Sequence, residues 1–125
     1  MDTIERYVED DFGYIKAYII SNTADSVSNH LPFNKMDDIV YVINSIEDQS
    51  FIYLEEIFIY QEFRRQGHAS RMMIDFLSNM EDEEIPIILI AGADFTPKEM
   101  DIVGFYEDFG FDVLGDEKGK IVMIR

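Results

Sequence analysis

The hydrophobic pattern changes twice between Phe51 and Ala91, and this segment constrains the fold more than any other. Residues 51–60 (FIYLEEIFIY) are rich in β-branched and aromatic residues and predict a central strand. After a polar stretch, apolar residues recur at helical spacing: Ala69, Met72, Met73, Phe76, Leu77 and Met80. Residues 86–91 (PIILIA) are then continuously apolar, as in a strand buried on both faces. This order predicts a parallel strand pair joined by a right-handed crossover through a helix.

Further strands are predicted on the N-terminal side of this unit. Residues 13–21 (GYIKAYIIS) and 39–46 (IVYVINSI) are both rich in β-branched and aromatic residues. Between them, residues 22–35 are polar and contain many turn-forming residues, so that either a short helix or a loop fits the composition.

The C-terminal part predicts a second helix and a hairpin. Residues 96–99 (TPKE) supply an N-cap Thr, a Pro at the first helical position and a Glu at the third, which together form a capping box. One face of the helix would carry Ile102, Phe105, Tyr106 and Phe109. Gly110 stands where a helix-ending glycine belongs. Residues 111–114 and 120–125 are predicted strands, and residues 115–119 (GDEKG) a hairpin loop between them.

The composition bounds the kind of protein this is. The 125 residues are expected to form one domain, 1–125, of the α/β (α+β) class, and an apolar fraction of 47% is enough for a core. The absence of cysteine excludes disulfides, thiolate nucleophiles and cysteine-based zinc sites. The N-terminus does not resemble a signal peptide, and the longest apolar run, 85–93, is too short to cross a bilayer. We therefore expect a cytoplasmic protein that does not interact with membranes.

The chain is strongly acidic. It has 26 acidic and 10 basic residues, for a net charge of −16. This charge argues against direct binding of nucleic acid and favours cationic partners, although solubility alone also accounts for it.

Positive charge is concentrated at one place. Arg64, Arg65 and Arg71 lie within eight positions around Gly67, just before the predicted helix. The first N–H groups of a helix lack intrahelical partners and carry the positive end of its dipole, so this position suits an anion. Cations at a helix N-terminus are unfavourable unless something anionic binds there. The cluster therefore predicts a phosphate site.

Two short motifs resemble a known family. Neither GxxxxGK[ST] nor GxGxxG occurs, which disfavours a nucleotide triphosphatase or a dinucleotide oxidoreductase. Residues 64–69 (RRQGHA) instead resemble the Q/R-x-x-G-x-G/A motif of the GNAT superfamily of acyl-coenzyme A-dependent N-acetyltransferases, which lies between that family's fourth strand and the next helix. Residues 105–111 (FYEDFGF) resemble its later signature, a tyrosine followed closely by Gly-Phe. Motif spacing and element order match across residues 51–111.

The resemblance implies a fold, a cofactor and a set of contacts. The fold would be a mixed, mostly antiparallel sheet with flanking helices and a shortened N-terminal region in which the first helices are reduced. The co-substrate would be acetyl-CoA, with no metal, and a homodimer is an option. The implied coenzyme-binding residues are Ile57, Phe58, Ile59, Arg64, Arg65, Gln66, Gly67, His68, Ala69 and Ser70. Main-chain N–H groups of residues 57–59 would stabilise the oxyanion, and His68, which replaces an aliphatic residue, is interpreted as a filler.

Acetyl transfer from a thioester to an amine needs a neutral amine, a stabilised oxyanion and a proton donor for the departing thiolate. The resemblance assigns the donor role to Tyr106. Residues 52–59 look like the corresponding strand of di- and polyamine acetyltransferases, which points to Glu55 as the base, with Glu56 and Asp94 as alternatives. Strand alternation alone places Glu55 on the face of Ile57, although a bulge of the kind typical of the family would re-aim it.

The leading hypothesis is an N-acetyltransferase that moves an acetyl group from acetyl-CoA to a polyamine, a lysine side chain or a small amino compound by direct transfer in a ternary complex. Its rival is a catalytically idle acidic protein of the same fold that mimics nucleic acid or docks on a basic partner. Metal binding by residues 81–84 (EDEE) is a weaker alternative, because they lack the ligand spacing and the glycine of a calcium loop. Glu99 stands where the family often has an asparagine, which puts one coenzyme contact in doubt.

Overall fold

A computed structural model describes residues 3–29, 33, 36–80, 85–91, 102–117 and 120–125. Within these ranges a six-stranded sheet has the order β1-β2-β3-β4-β6-β5. The elements along the chain are β1 (Thr3–Glu9), β2 (Gly13–Ser21), α1 (Ala24–Asn29), α2 (Asp37–Asn44), β3 (Ser50–Ile59), α3 (His68–Met80), β4 (Ile87–Ala91), α4 (Ile102–Glu107), β5 (Asp112–Glu117) and β6 (Lys120–Ile124).

The sheet is mixed and mostly antiparallel. β3 and β4 run parallel, with α3 in the connection between them, while the other four neighbouring pairs of described strands are antiparallel. This arrangement confirms the predicted strand–helix–strand unit and the predicted fold class.

Two hydrophobic clusters lie on opposite faces of the sheet. One cluster packs the sheet against α3 and α4 and includes Met73, Phe76 and Phe111. The other packs the sheet against α1 and α2 and includes Val27, Phe33 and Ile43. We call these the α3–α4 face and the α1–α2 face. β4 contributes buried residues to both faces, which confirms that residues 87–91 form a strand covered on both sides.

The prediction of a strand at residues 39–46 is wrong, because these residues belong mostly to α2. Buried Ile39, Val40 and Ile43 follow a helical spacing, and Asp37 and Asp38 lie in the first turn, where acidic residues are favoured. The packing of this apolar stripe against the sheet outweighs the strand preference of β-branched residues.

The region before α2 also contains a helix. α1 occupies residues 24–29, so the undecided segment 22–35 holds a short helix. The Thr23 hydroxyl oxygen accepts a hydrogen bond from the Ser26 N–H at 3.1 Å, as an N-cap does. The helices of this half of the chain are short, with 6 and 8 residues, and they lie between β2 and β3.

Other boundaries differ from the predictions. β1 was not predicted, since charged residues interrupt its short β-forming sequence, as on many edge strands. β5 extends to Glu117, so most of the predicted loop 115–119 belongs to the strand. The capping box at 96–99, the acidic run 81–84 and Asp94 lie outside the described residues.

The end of α4 is fixed by a glycine, as predicted. Gly110 has φ of +92°, and its N–H bonds to the carbonyl of Glu107 at 2.9 Å. The N–H of Phe111 bonds to the carbonyl of Tyr106 at 3.2 Å, and their rings are 5.9 Å apart. These two bonds and the ring contact form a Schellman motif.

Replacing Gly110 with alanine should lower the free energy of unfolding by about 1–2 kcal/mol, because alanine is strained at positive φ. The added Cβ would also lie 3.2 Å from Nε of Arg125. Urea denaturation of Gly110→Ala and Gly110→Asn measures this cost. Since asparagine tolerates the left-handed conformation better than alanine, we expect Gly110→Asn to be the more stable of the two variants. Equal stabilities of the two variants would contradict a backbone origin of the cost.

Candidate active site

The two parallel strands separate at their carboxyl ends. β3 and β4 are in register over three residue pairs, the last of which joins Leu54 to Leu89. Beyond it β3 continues to Ile59 and β4 to Ala91 without further pairing between them. Among the described residues, a gap therefore opens in the sheet at the carboxyl ends of parallel strands, where open α/β sheets bind ligands.

An extra residue in β3 lies where the gap begins. Across from β2, Leu54 pairs with Ala17 and Glu56 pairs with Lys16, so Glu55 is left over as a β-bulge. The resemblance implied a bulge in this strand, and the structure has it at the carboxylate that was the candidate base.

The bulge changes which face Glu55 occupies. Leu54 and Ile57 both pack on the α3–α4 face, so Glu55 and Glu56 lie together between them. Burial raises the pKa of Tyr53, and the charge of Glu55, two residues along the strand, raises it further. The alternation that put Glu55 on the face of Ile57 is therefore wrong, because a bulge resets the alternation.

Main-chain groups of β3 face the gap. The N–H of Tyr60 bonds to the carbonyl of Phe12 at 2.9 Å, on the β2 side of the strand. Since main-chain groups alternate sides along a strand, those of Phe58 also face β2, and those of Ile57 and Ile59 face the gap. Of the main-chain N–H groups of residues 57–59 that were predicted to stabilise the oxyanion, only those of Ile57 and Ile59 thus face the gap.

The two adjacent carboxylates have different surroundings. Glu56 accepts a hydrogen bond from the Tyr14 hydroxyl at 2.5 Å, and the Tyr14 ring stacks on that of Phe58 at 5.4 Å. Glu55 is exposed, and within the described ranges its carboxylate has no hydrogen bond or ion pair. Of this pair, Glu55 is the carboxylate that is open to a substrate.

The loop between β3 and α3 has an unusual backbone. After a 3-10 turn at Gln61–Phe63, Arg65 has φ of +63° and Gly67 has φ of +82°. Only the second is a glycine, and the left-handed conformation is uncommon for a residue such as arginine. Residues 64–67 are exposed, and a Cβ built on Gly67 would meet no atom of the described chain within 4 Å.

The start of α3 offers hydrogen-bond donors beside this open space. The N–H of Arg71 bonds to the carbonyl of Gly67 at 3.2 Å, which makes Gly67 the N-cap. The N–H groups of His68, Ala69 and Ser70 consequently have no intrahelical acceptor, and no other acceptor contacts them in the part of the chain that the structure describes. Such a helix start suits an anion.

The arginines of the cluster do not all face this space. Nε of Arg64 donates to the carbonyl of Ile59 at 2.9 Å, and its guanidinium lies 5.3 Å from the centre of the Phe58 ring. Arg65 is exposed and has no ion pair with the described residues. Arg64 therefore closes one edge of the gap, whereas the side chain of Arg65 is open to a ligand.

Arg71 is paired with a carboxylate from the turn between β1 and β2. It contacts Asp10 at 2.9 Å and, more distantly, Asp75 at 3.7 Å. The hydrogen bond from Arg71 and those from the N–H groups of Phe12 and Gly13 hold the pKa of Asp10 below its usual value. The expectation that the arginines stay unpaired until an anion binds is wrong for Arg71.

Phe12, in the same turn, contacts the loop. Its ring stacks on His68 at 3.9 Å and meets Phe63 edge-on at 4.9 Å. His68 is thus a packing residue at the start of α3, in keeping with its interpretation as a filler. Sequence reasoning missed Asp10 and Phe12, because the segment DDFG predicts a turn but carries no signal for what the turn contacts.

Tyr106 lies on the face of α4 that meets the sheet. It is half-buried and packs on the same cluster as Ile57 and Ile59. Burial raises the pKa of Tyr106 to about 12, so its hydroxyl stays protonated at neutral pH. A protonated phenol beside the gap is a suitable proton donor.

Two kinds of feature are absent from the described residues. No helix among them is long and apolar enough to cross a bilayer. In the same residues, no group of three or more His, Asp or Glu side chains is placed to bind a metal ion.

Solved structures share this fold. PaiA N-acetyltransferase from Thermoplasma acidophilum, in complex with coenzyme A, matches with a TM-score of 0.60 and 14% identity over 100% of this chain and 61% of its own. The anti-CRISPR protein AcrVA5 matches with a TM-score of 0.57 and 16% identity, over 100% of this chain and 99% of its own. Arabidopsis thaliana Naa50, in complex with the bisubstrate analogue CoA-Ac-MVNAL, matches with a TM-score of 0.55 and 14% identity, over 91% of this chain and 64% of its own. This chain thus spans less than two thirds of PaiA and Naa50.

The family is shown by a match of sequence. No curated protein matches the chain. The family model described as "Acetyltransferase (GNAT) domain" matches residues 12–121, which include the gap, the loop before α3 and Tyr106. The chain therefore belongs to the acetyltransferase (GNAT) domain family.

Proposed function

We propose that this protein is an N-acetyltransferase that moves an acetyl group from acetyl-CoA to a primary amine by direct transfer in a ternary complex. The observation that carries the proposal is the gap between β3 and β4, with the main chain of Ile57 and Ile59 facing it. Direct transfer is favoured because the chain has no cysteine for an acyl-enzyme and no evident Ser–His arrangement.

The described residues fit the coenzyme at two places. At the start of α3, the N–H groups of residues 68–70 and the side chain of Arg65 would hold the diphosphate, in the space that a Cβ on Gly67 would enter. In the gap, main-chain groups of Ile57 and Ile59 would pair with the pantetheine amides as a neighbouring strand would. The bound coenzyme supplies the acetyl group as a thioester.

The chemical roles follow from the surroundings of each group. N–H groups that face the gap would donate to an oxygen that gains negative charge during the transfer. Tyr106 would donate a proton to the departing sulfur, since its raised pKa keeps it protonated.

Glu55 is the proposed base. A free alkylamine has a pKa of about 10.4 and must lose a proton before it can attack. Glu55 is exposed at the bulge, where it can attract a cationic amine and accept its proton directly or through water. Glu56 already accepts a hydrogen bond from Tyr14, which makes it the weaker candidate.

The acceptor is proposed to be a cationic amine: a polyamine, a lysine side chain or a small amino compound. The net charge of −16 favours the approach of such a molecule. Among the structural neighbours, Naa50 was solved with an analogue that joins coenzyme A to an acetylated peptide, which is a precedent for direct transfer on this fold. A cytoplasmic location remains a prediction from the sequence.

Calorimetry should show that acetyl-CoA binds roughly 100-fold more tightly than S-acetylpantetheine, which lacks the diphosphate, because one or two charge-assisted hydrogen bonds contribute about 2–3 kcal/mol. Gly67→Ala should weaken acetyl-CoA binding and leave S-acetylpantetheine binding unchanged. The absence of saturable acetyl-CoA binding to the folded wild-type protein would remove the enzyme hypothesis and favour the idle interaction protein.

Replacing Tyr106 with phenylalanine should lower kcat by about 100-fold or more, with little change in KM for acetyl-CoA, because the ring stays and the proton donor is lost. Tyr41→Phe, on the exposed face of α2, is the matched control and should keep full activity. Wild-type activity should not fall through ionisation of Tyr106 until the pH approaches about 12. A Tyr106→Phe enzyme with unchanged kcat would refute the assignment.

The pair Glu55→Gln and Glu56→Gln tests the proposed base, since both changes remove one negative charge from neighbouring positions. We expect kcat/KM at neutral pH to fall at least tenfold for Glu55→Gln and less than threefold for Glu56→Gln. Rate measurements at rising pH should restore the activity of Glu55→Gln as more of the amine becomes neutral. The reverse order of effects would make Glu56 the base.

A further inference from the structure

The turn between β1 and β2 packs against the loop at residues 64–67, which we call the coenzyme loop. The ring of Phe12 contacts Phe63, just before the loop, and His68, just after it. Phe63 and His68 also contact each other, with ring centres 6.1 Å apart. One side chain from a distant turn therefore holds together both ends of the segment 64–67.

The same turn is anchored by charge. Asp10 accepts hydrogen bonds from the N–H groups of Phe12 and Gly13, which fixes the shape of the turn. Its other oxygen lies 2.9 Å from Arg71, in the first turn of α3. The guanidinium of Arg71 in turn lies 5.5 Å from the centre of the Phe12 ring. The turn and the helix start are thus joined by an ion pair and by ring contacts.

This contact lies apart from the two cores. Phe12, Phe63 and His68 are half-buried, and none of them belongs to the cluster on either face of the sheet. Packing at this place therefore orders the loop more than it stabilises the domain. The loop needs such support, because a non-glycine residue, Arg65, has a left-handed conformation, which costs free energy and persists only where the surroundings impose it.

We propose that Phe12 is a positioning residue that sets the coenzyme loop in its binding conformation before the diphosphate arrives, with Asp10 as the anchor of the turn. The inference rests on the proposed function, since it assumes that the loop binds the coenzyme diphosphate. A loop that is ordered in advance loses less entropy on binding. Loss of the Phe12 contacts with Phe63 and His68, which we call the clamp, therefore weakens affinity for the ligand that contacts the loop.

Calorimetry on Phe12→Ala, Phe12→Tyr and wild type, each with acetyl-CoA and with S-acetylpantetheine, tests the clamp. We expect Phe12→Ala to weaken acetyl-CoA binding about tenfold and to leave S-acetylpantetheine binding unchanged. Phe12→Tyr keeps the ring and should bind both ligands as wild type does. In turnover assays, Phe12→Ala should raise KM for acetyl-CoA while kcat stays within about twofold, which separates positioning from catalysis.

A stability control separates the clamp from general weakening of the fold. Val27→Ala removes buried volume on the α1–α2 face, away from the loop, and should lower the unfolding midpoint without changing the ratio of the two affinities. Equal losses for both ligands in Phe12→Ala, or wild-type affinity for acetyl-CoA in that variant, would overturn the inference. If wild type itself does not bind acetyl-CoA, the proposed function fails instead.

Asp10→Asn provides a second variant that should fold even if Phe12→Ala does not, because Asp10 is on the surface and asparagine keeps the side-chain oxygen of the turn. We expect acetyl-CoA binding to weaken about threefold and S-acetylpantetheine binding to stay the same. Tighter acetyl-CoA binding would overturn the role of Asp10 as an anchor, since the carboxylate would then compete with the diphosphate for Arg71.

Discussion

The interruption of pairing between β3 and β4 is the constraint on which the site depends. A main-chain N–H or carbonyl group that is buried without a partner costs about 1–3 kcal/mol, so a sheet does not open in its middle without compensation. Part of the compensation is internal, because Arg64 donates to the carbonyl of Ile59 at the open edge. The half-buried groups that remain are open to water or to a ligand strand. A gap of this kind is stable enough to persist and still offers main-chain hydrogen bonds to a ligand.

The bulge at Glu55 and the gap depend on each other. Without the extra residue, strict alternation would put a carboxylate among the apolar side chains of the α3–α4 face, where an unpaired charge is costly. The bulge keeps both Glu55 and Glu56 off that face, and Ile57 still returns to the apolar cluster. Tyr106, the proposed proton donor, packs on the α3–α4 face, and Glu55, the proposed base, lies at the bulge where β3 and β4 separate.

The sequence was informative where local pattern and packing agree. The change from strand to helical period over residues 51–91 predicted the crossover unit, and Gly110 predicted the end of α4, because both signals are local. The strand prediction at residues 39–46 failed because tertiary packing overrides local preference. β-branched residues favour a strand by themselves, but here they form the apolar stripe of a helix that covers one face of the sheet. The contact of Phe12 with His68 joins residues that are far apart in the chain, and no spacing rule encodes it. Of the candidate site, the motif residues were therefore visible in the sequence, and the turn that contacts them was not.

The positions of the arginines answer why so acidic a chain concentrates positive charge before α3. Arg64 and Arg71 bond to groups of the protein itself, one to the gap edge and one to the β1–β2 turn. Their charges hold the loop between two fixed points, and only Arg65 among the three extends without a partner from the described residues. A helix start supplies its own donors and a favourable dipole, so the proposed diphosphate site would need only one free guanidinium beside its three main-chain amides. Most of the positive charge at this loop thus shapes the candidate site, and only Arg65 of the three arginines is left for the proposed ligand.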